Sequence, residues 1–138
     1  MRILFASFVK LFVLFAMSKI LFIEDEPALQ KTLGLALTKG GYDVKTAFDG
    51  QSGFELAKDF KPDLILLDLI LPKKDGFSVL ESIKKDDELK DTPVIVLTNL
   101  EGMADVERVL QLGATTYLVK ANYDLSEILT KVEQTLEK

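Results

Sequence analysis

The stretch Lys61-Pro62-Asp63-Leu64-Ile65-Leu66-Leu67-Asp68-Leu69-Ile70-Leu71-Pro72-Lys73-Lys74-Asp75-Gly76 constrains the chain more than any other. Leu64 to Leu67 is an unbroken apolar run, short and bounded by Pro62 and Pro72. Such a run reads as a strand buried on both faces, as in the middle of a parallel sheet. Asp68 stands where it ends. In open parallel sheets the carboxyl ends of the strands form the ligand crevice, and a buried carboxylate there needs partners to offset its desolvation. On this stretch by itself, Asp68 as a mere strand cap or turn starter stays open.

The rest of the chain repeats the pattern. Ile20-Leu21-Phe22-Ile23 is a buried-type strand followed at once by Glu24-Asp25-Glu26, and Pro27 suits the first turn of a helix. Leu29, Leu33, Ala36 and Leu37 recur at helical spacing until Gly40-Gly41. Tyr42 to Ala47 reads as a second strand, Asp49-Gly50 as a turn, and Gln51 to Phe60 as a helix with Phe54 and Ala57 inward. After the third strand a helix follows Gly76, with Phe77, Leu80 and Ile83 inward and Lys84 to Asp91 as a charged exit loop. Val94 to Leu97 is the fourth strand, ending at Thr98-Asn99. A helix from Met103 to Gln111 stops at Gly113, and Thr116 to Val119 is the fifth strand, ending at Lys120. Leu125, Ile128, Leu129, Val132 and Leu136 mark the last helix. Five strands alternating with five helices predict an α/β fold: a doubly wound, five-stranded parallel sheet, covered on both faces, with right-handed crossovers.

Composition narrows the chemistry. At 138 residues the chain makes one domain with a proper core. It has neither Cys nor His, which excludes disulfides, thiolate and imidazole metal sites, Cys or Ser-His-Asp nucleophiles and a phosphohistidine of its own. A net charge of −5 argues against direct binding of a nucleic-acid backbone. Carboxylates, Lys and hydroxyls remain, and a hard cation such as Mg²⁺ is the metal they suit.

The strand ends supply those groups: Glu24 and Asp25 after the first, Asp68 after the third, Thr98 after the fourth, Lys120 after the fifth. In a doubly wound sheet they converge on one crevice, where three carboxylates repel one another unless a cation sits among them. A carboxylate nucleophile beside a metal, a Lys and a hydroxyl is equipped for phosphoryl transfer, which is mostly positioning and charge neutralisation. Singly each has a plainer reading: an acidic first helical turn, a loop hydroxyl, a solvated strand end.

The acidic pair after strand one, the D-x-x-x-P-x-x-D-G segment from Asp68 to Gly76, the Thr after strand four and the Tyr-x-x-Lys of strand five stand in order. From about Lys19 to Lys138 the chain resembles a response-regulator receiver domain of two-component signalling. The resemblance implies the flavodoxin-like fold with strand order 2-1-3-4-5. It implies that Asp68 is the phosphoacceptor, attacking a phosphohistidine on a sensor histidine kinase or phosphotransfer protein. Asp25, Asp68 and the backbone carbonyl of Ile70 would bind Mg²⁺, with Glu24 acting through a metal-bound water. Thr98 and Lys120 would bind the phosphoryl oxygens. Tyr117 would swing inward with Thr98, changing the face of helix four, strand five and helix five for a downstream protein target. The implied protein is a cytoplasmic, monomeric signalling phosphoacceptor rather than an enzyme in its own right, promoting only its own phosphotransfer and slow dephosphorylation.

Some positions depart from the family pattern. Ala121 follows Lys120 where Pro is usual, so a trans bond or rearranged loop is expected there. Asn99 occupies a position that is usually small and crowds the phosphoryl group. Ile70 and Leu100, two residues beyond Asp68 and Thr98, cannot orient a hydrolytic water, which predicts slow loss of phosphate. Gly113-Ala114-Thr115-Thr116 lacks the acidic pair common in receivers that dimerise to bind DNA.

Rival readings each lack something. An aspartyl phosphatase of the haloacid dehalogenase type needs an acid where Ile70 stands. A flavodoxin-like cofactor binder needs a Ser/Thr/Gly-rich phosphate loop in place of Glu24-Asp25-Glu26. Direct DNA binding wants a basic surface and a second domain. A phosphorylation-independent, receiver-like binding module is the remaining alternative. Within the main reading the expectation is a stand-alone receiver, either a binding regulator or a phosphorelay shuttle.

Residues 1–17, MRILFASFVKLFVLFAM, differ from all that follows. Arg2 and Lys10 are their only charges, and without those two the net of −5 becomes −7 for the remainder. A membrane span needs about 20 apolar residues, and Lys10 interrupts this shorter stretch. No A-x-A cleavage site follows it. The plainest expectation is a start assigned too far upstream, with the working domain at 18–138; a membrane-surface helix is the runner-up, and membrane contact is expected only in that case.

Overall fold

The five strands expected from Lys19 onward are all present in the computed structural model, which describes residues 18–137. The order is β1 (Lys19–Ile23), α1 (Pro27–Lys39), β2 (Asp43–Ala47), α2 (Gly50–Phe60), β3 (Leu64–Leu67), α3 (Gly76–Lys85), β4 (Val94–Thr98), α4 (Met103–Gln111), β5 (Thr116–Val119), a 3₁₀ turn (Lys120–Asn122) and α5 (Leu125–Leu136). The strands form one parallel sheet in the order β2-β1-β3-β4-β5, the doubly wound fold expected. The reading of residues 1–17 as an upstream start or surface helix lies outside the described residues.

Alternation along the strands sorts side chains into two cores. Leu21, Ile23, Ile65, Leu67, Val94 and Val96 meet Ala57, Phe60, Val79, Leu80, Ile83 and Val109 of α2, α3 and α4. Ile20, Phe22, Leu64, Leu66, Ile95, Leu97 and Leu118 meet Leu33, Leu37, Ile128 and Val132 of α1 and α5. Central strands buried on both faces cannot show a polar-apolar alternation, which is why they read as continuous runs. Phe54 and Phe77, expected inward, are only partly buried and lie against the first core under the cations of Lys74 and Arg108.

Helix starts and stops follow local chemistry. Asp49, Asp75 and Asp124 cap α2, α3 and α5 by accepting from the backbone N–H of Ser52, Ser78 and Glu127 at 2.7, 2.9 and 2.9 Å. Gly41 and Gly113, just past α1 and α4, hold φ of 95° and 104°, which only glycine adopts without strain.

The charged exit loop is corrected in one respect. The helix runs to Lys85, and Leu89, the one apolar residue between Asp86 and Asp91, is fully buried in the first core. Lys84 donates to the carbonyls of Lys90 and Thr92 at 3.2 and 2.9 Å, closing the loop over it. Leu89→Ala is expected to cost about 2–5 kcal/mol in urea unfolding.

Candidate functional site

Register places the site. Ile23 pairs with Leu67, so Glu24 and Asp68 leave neighbouring strands at one level. Leu67 pairs with Val96 and Thr98 with Val119, which brings Thr98 and Lys120 to the same edge. Carboxylate oxygens of Glu24, Asp25 and Asp68 lie within 4.8 Å of one another, Glu24 and Asp68 buried and Asp25 exposed. Lys120 reaches across from β5: its Nζ is 2.6 Å from Glu24 Oε1, 3.1 Å from Asp68 Oδ2 and 4.0 Å from Glu26 Oε2. The contact to Glu24 is a close, buried ion pair. Glu24 Oε2 accepts from the Glu26 backbone N–H at 3.2 Å. Asp68 Oδ1 accepts from Leu69 N–H at 2.7 Å and Ile70 N–H at 3.4 Å.

Electrostatics follow from burial. Desolvation pushes the Glu24 carboxyl up from 4.5 to about 7; Asp68 adds to the rise, and Lys120 only partly opposes it. Burial works against the charge of Lys120, but Glu24 and Asp68 outweigh it and hold the ammonium above its usual range. With Glu24 ionised, three carboxylates against one ammonium leave two negative charges in a half-buried cleft. An all-oxygen donor set with that charge fits a hard divalent cation. Thr98 Oγ1 is an unused donor apart from that set: fully buried at the same edge, it has no hydrogen-bond partner among the described residues.

The remaining expected residues lie nearby in different states. Ile70, on the exit of β3, is 58% exposed, and Asn99 is exposed. Tyr117 is half-buried outside the acidic cluster, its hydroxyl donating to the Leu100 carbonyl at 2.7 Å. The bond before Ala121 is trans, and Lys120 opens a 3₁₀ turn. Glu26 and Gln30 were not expected. Glu26 belongs to the acidic run itself, whereas Gln30 is buried on α1 and donates to the Glu24 and Ala47 carbonyls.

The family described as response regulator receiver domain matches residues 20–133. The chain belongs to this family. Among curated proteins, the DNA-binding dual master transcriptional regulator RpaA of Synechocystis is 41% identical over 122 residues, 88% of this chain and 50% of that protein. The chain thus spans about half the length of the curated relatives it matches. Among solved structures, the BeF₃-activated N-terminal receiver domain of Klebsiella pneumoniae RstA superposes with a TM-score of 0.80 at 29% identity, covering 88% of this chain and all of that one. The receiver domain of the Pseudomonas aeruginosa sensor histidine kinase PA1611, described with a magnesium ion coordinated in its active-site cleft, gives 0.80 at 30% identity over 88% and 99% of the two chains. As a response regulator receiver, this domain is a two-component signalling module. No helix among the described residues is long and apolar enough to cross a membrane.

Proposed function

We propose that this receiver domain takes a phosphoryl group onto Asp68 from a histidine kinase or phosphotransfer protein. The observation carrying this is a buried Asp68 flanked by Lys120 at 3.1 Å and by the carboxylates of Glu24 and Asp25. A carboxylate oxygen of Asp68 attacks phosphorus, the P–N bond of the phosphohistidine breaks, and the imidazole leaves with its electron pair. Asp25, Asp68 and the Ile70 carbonyl would hold Mg²⁺, with Glu24 acting through water. When bound, the cation neutralises charge on the transferring phosphoryl oxygens. Lys120 exchanges its contact with Asp68 for a phosphoryl oxygen, and the unpartnered Thr98 hydroxyl donates to another.

The output follows from the same edge. Thr98 moving toward the phosphoryl group vacates space for Tyr117, whose hydroxyl would release the Leu100 carbonyl. That reshapes the face of α4, β5 and α5, where Met103 and Leu110 already expose apolar surface to a downstream protein. The domain acts as a cytoplasmic, monomeric phosphoacceptor with no direct nucleic-acid contact of its own, consistent with its net charge of −5.

Incubation with a small-molecule phosphodonor and Mg²⁺ is expected to add one phosphoryl group by intact mass, none without the metal and none to Asp68→Asn. The adduct should decay slowly, because Ile70 offers no polar group to a hydrolytic water. An unmodified wild type with a cognate kinase as donor would point instead to a module that binds without phosphate.

A further inference from the structure

Gln30 is 6% exposed and shares the buried face of α1 with Leu33 and Leu37. A leucine there would continue the apolar stripe. The carboxamide Nε2 instead donates to the Glu24 carbonyl at 3.0 Å and the Ala47 carbonyl at 2.9 Å, with the Phe22 carbonyl farther away at 3.5 Å. The β1–β2 ladder has its last rung at Ile23 and Ala47, and only the Glu24 N–H, donating to Ala47 O at 3.0 Å, continues it. Beyond that point the backbone bearing the acids has left the sheet.

The Glu24 carbonyl belongs to the peptide unit joining Glu24 to Asp25. Fixing its oxygen fixes the plane of that peptide, and with it ψ of Glu24 and the place of the Asp25 Cα, the two backbone points from which the carboxylates leave the chain. An NH₂ group has two hydrogens, and both have a carbonyl within 3.0 Å, one on each strand exit. We infer that Gln30 is a positioning residue for the cation site: it clamps the Glu24–Asp25 peptide to the end of β2 and holds the acid pair in its metal-binding geometry. The inference rests on the proposed divalent-cation site.

The test is Mg²⁺ titration of the full chain by calorimetry, comparing wild type with Gln30→Met, which keeps the length and apolar stem but removes both donors. The dissociation constant is expected to rise about ten- to a hundred-fold, the range for groups that orient metal ligands. Leu33→Ala, on the same helix without contact to those carbonyls, should lower the melting temperature and leave Mg²⁺ affinity unchanged. In wild type, the Gln30 side-chain NH₂ resonances and the Asp25 amide should shift with one shared Mg²⁺ midpoint, a measurement that needs no variant. A wild type that binds Mg²⁺ while Gln30→Met binds equally well, or whose Gln30 resonances stay fixed, overturns the clamp and spares the metal site. A wild type that shows no Mg²⁺ binding overturns both.

Discussion

Gly76→Ala and Gly50→Ala are each expected to cost more than about 4 kcal/mol, enough to bring an ordinary domain of about 5–15 kcal/mol to the edge of unfolding. A Cβ on Gly76 would stand 2.3 Å from the Asp68 carbonyl oxygen and 2.5 Å from Leu69 Cα. Both are backbone atoms of the segment that carries Asp68, held in place by the Gly76 N–H donating to Leu69 O at 2.9 Å. A Cβ on Gly50 would overlap the Lys74 carbonyl oxygen at 1.7 Å, where the Gly50 N–H also donates to Pro72 O at 3.2 Å. No flexible side-chain tip can yield at either contact, so the loop from Leu69 to Asp75 must move and take the Asp68 backbone with it. Overpacking that displaces only side chains costs about 1–3 kcal/mol, and these exceed it because main chain is displaced. Gly34→Ala is the internal contrast: its Cβ meets nothing within 4 Å inside α1. That variant should gain about 0.5–1 kcal/mol from helix propensity. Urea midpoints of the three variants decide the matter. A Gly76→Ala protein as stable as wild type would mean the approach of α3 to β3 is looser than described.

Those glycines show what could be read in advance. Gly76 was visible as part of the D-x-x-x-P-x-x-D-G segment, but its need for close backbone approach was not, because contact with Asp68 O depends on how α3 docks. The strands were legible because burial on both faces leaves a short apolar run, and each run ends in a polar group that marks the crevice. Their lateral order came from the resemblance, since parallel pairing joins residues far apart in sequence. Gln30 left a faint signal: it falls three and seven residues before Leu33 and Leu37, a polar residue on an apolar stripe. Its target carbonyls lie on two strand ends that only the folded chain assembles. Leu89 was hidden by the reverse, a lone apolar residue in a run of charges.

Lys120→Met is expected to destabilise the metal-free protein by about 3–5 kcal/mol at pH 8, because it removes the counter-charge from two buried carboxylates. Nζ has 2.6 and 3.1 Å contacts to Glu24 and Asp68, and its side chain is 13% exposed. The cost should shrink on acidification. Glu24 sits at about 7 in the folded protein against 4.5 ordinarily, so the native state binds its proton more tightly than the unfolded chain. Its contribution to stability is therefore full below about 4.5 and lost as pH rises through about 7, on the order of 2–3 kcal/mol for wild type in EDTA. In Lys120→Met the carboxyl has lost its cation and is protonated still more readily, which caps the penalty at pH 6. Saturating Mg²⁺ should reverse the slope in wild type, since it favours the ionised carboxylates, and should restore more stability to Lys120→Met than to wild type because no ammonium competes for them. Phosphoryl acceptance by the variant should stay low even then, because charge on the cluster is restored without a donor for the phosphoryl oxygens. Urea unfolding at pH 6 and 8, in EDTA and in Mg²⁺, separates these effects. A Lys120→Met penalty independent of both pH and metal would show that neutralising the carboxylates is not how Lys120 stabilises the fold.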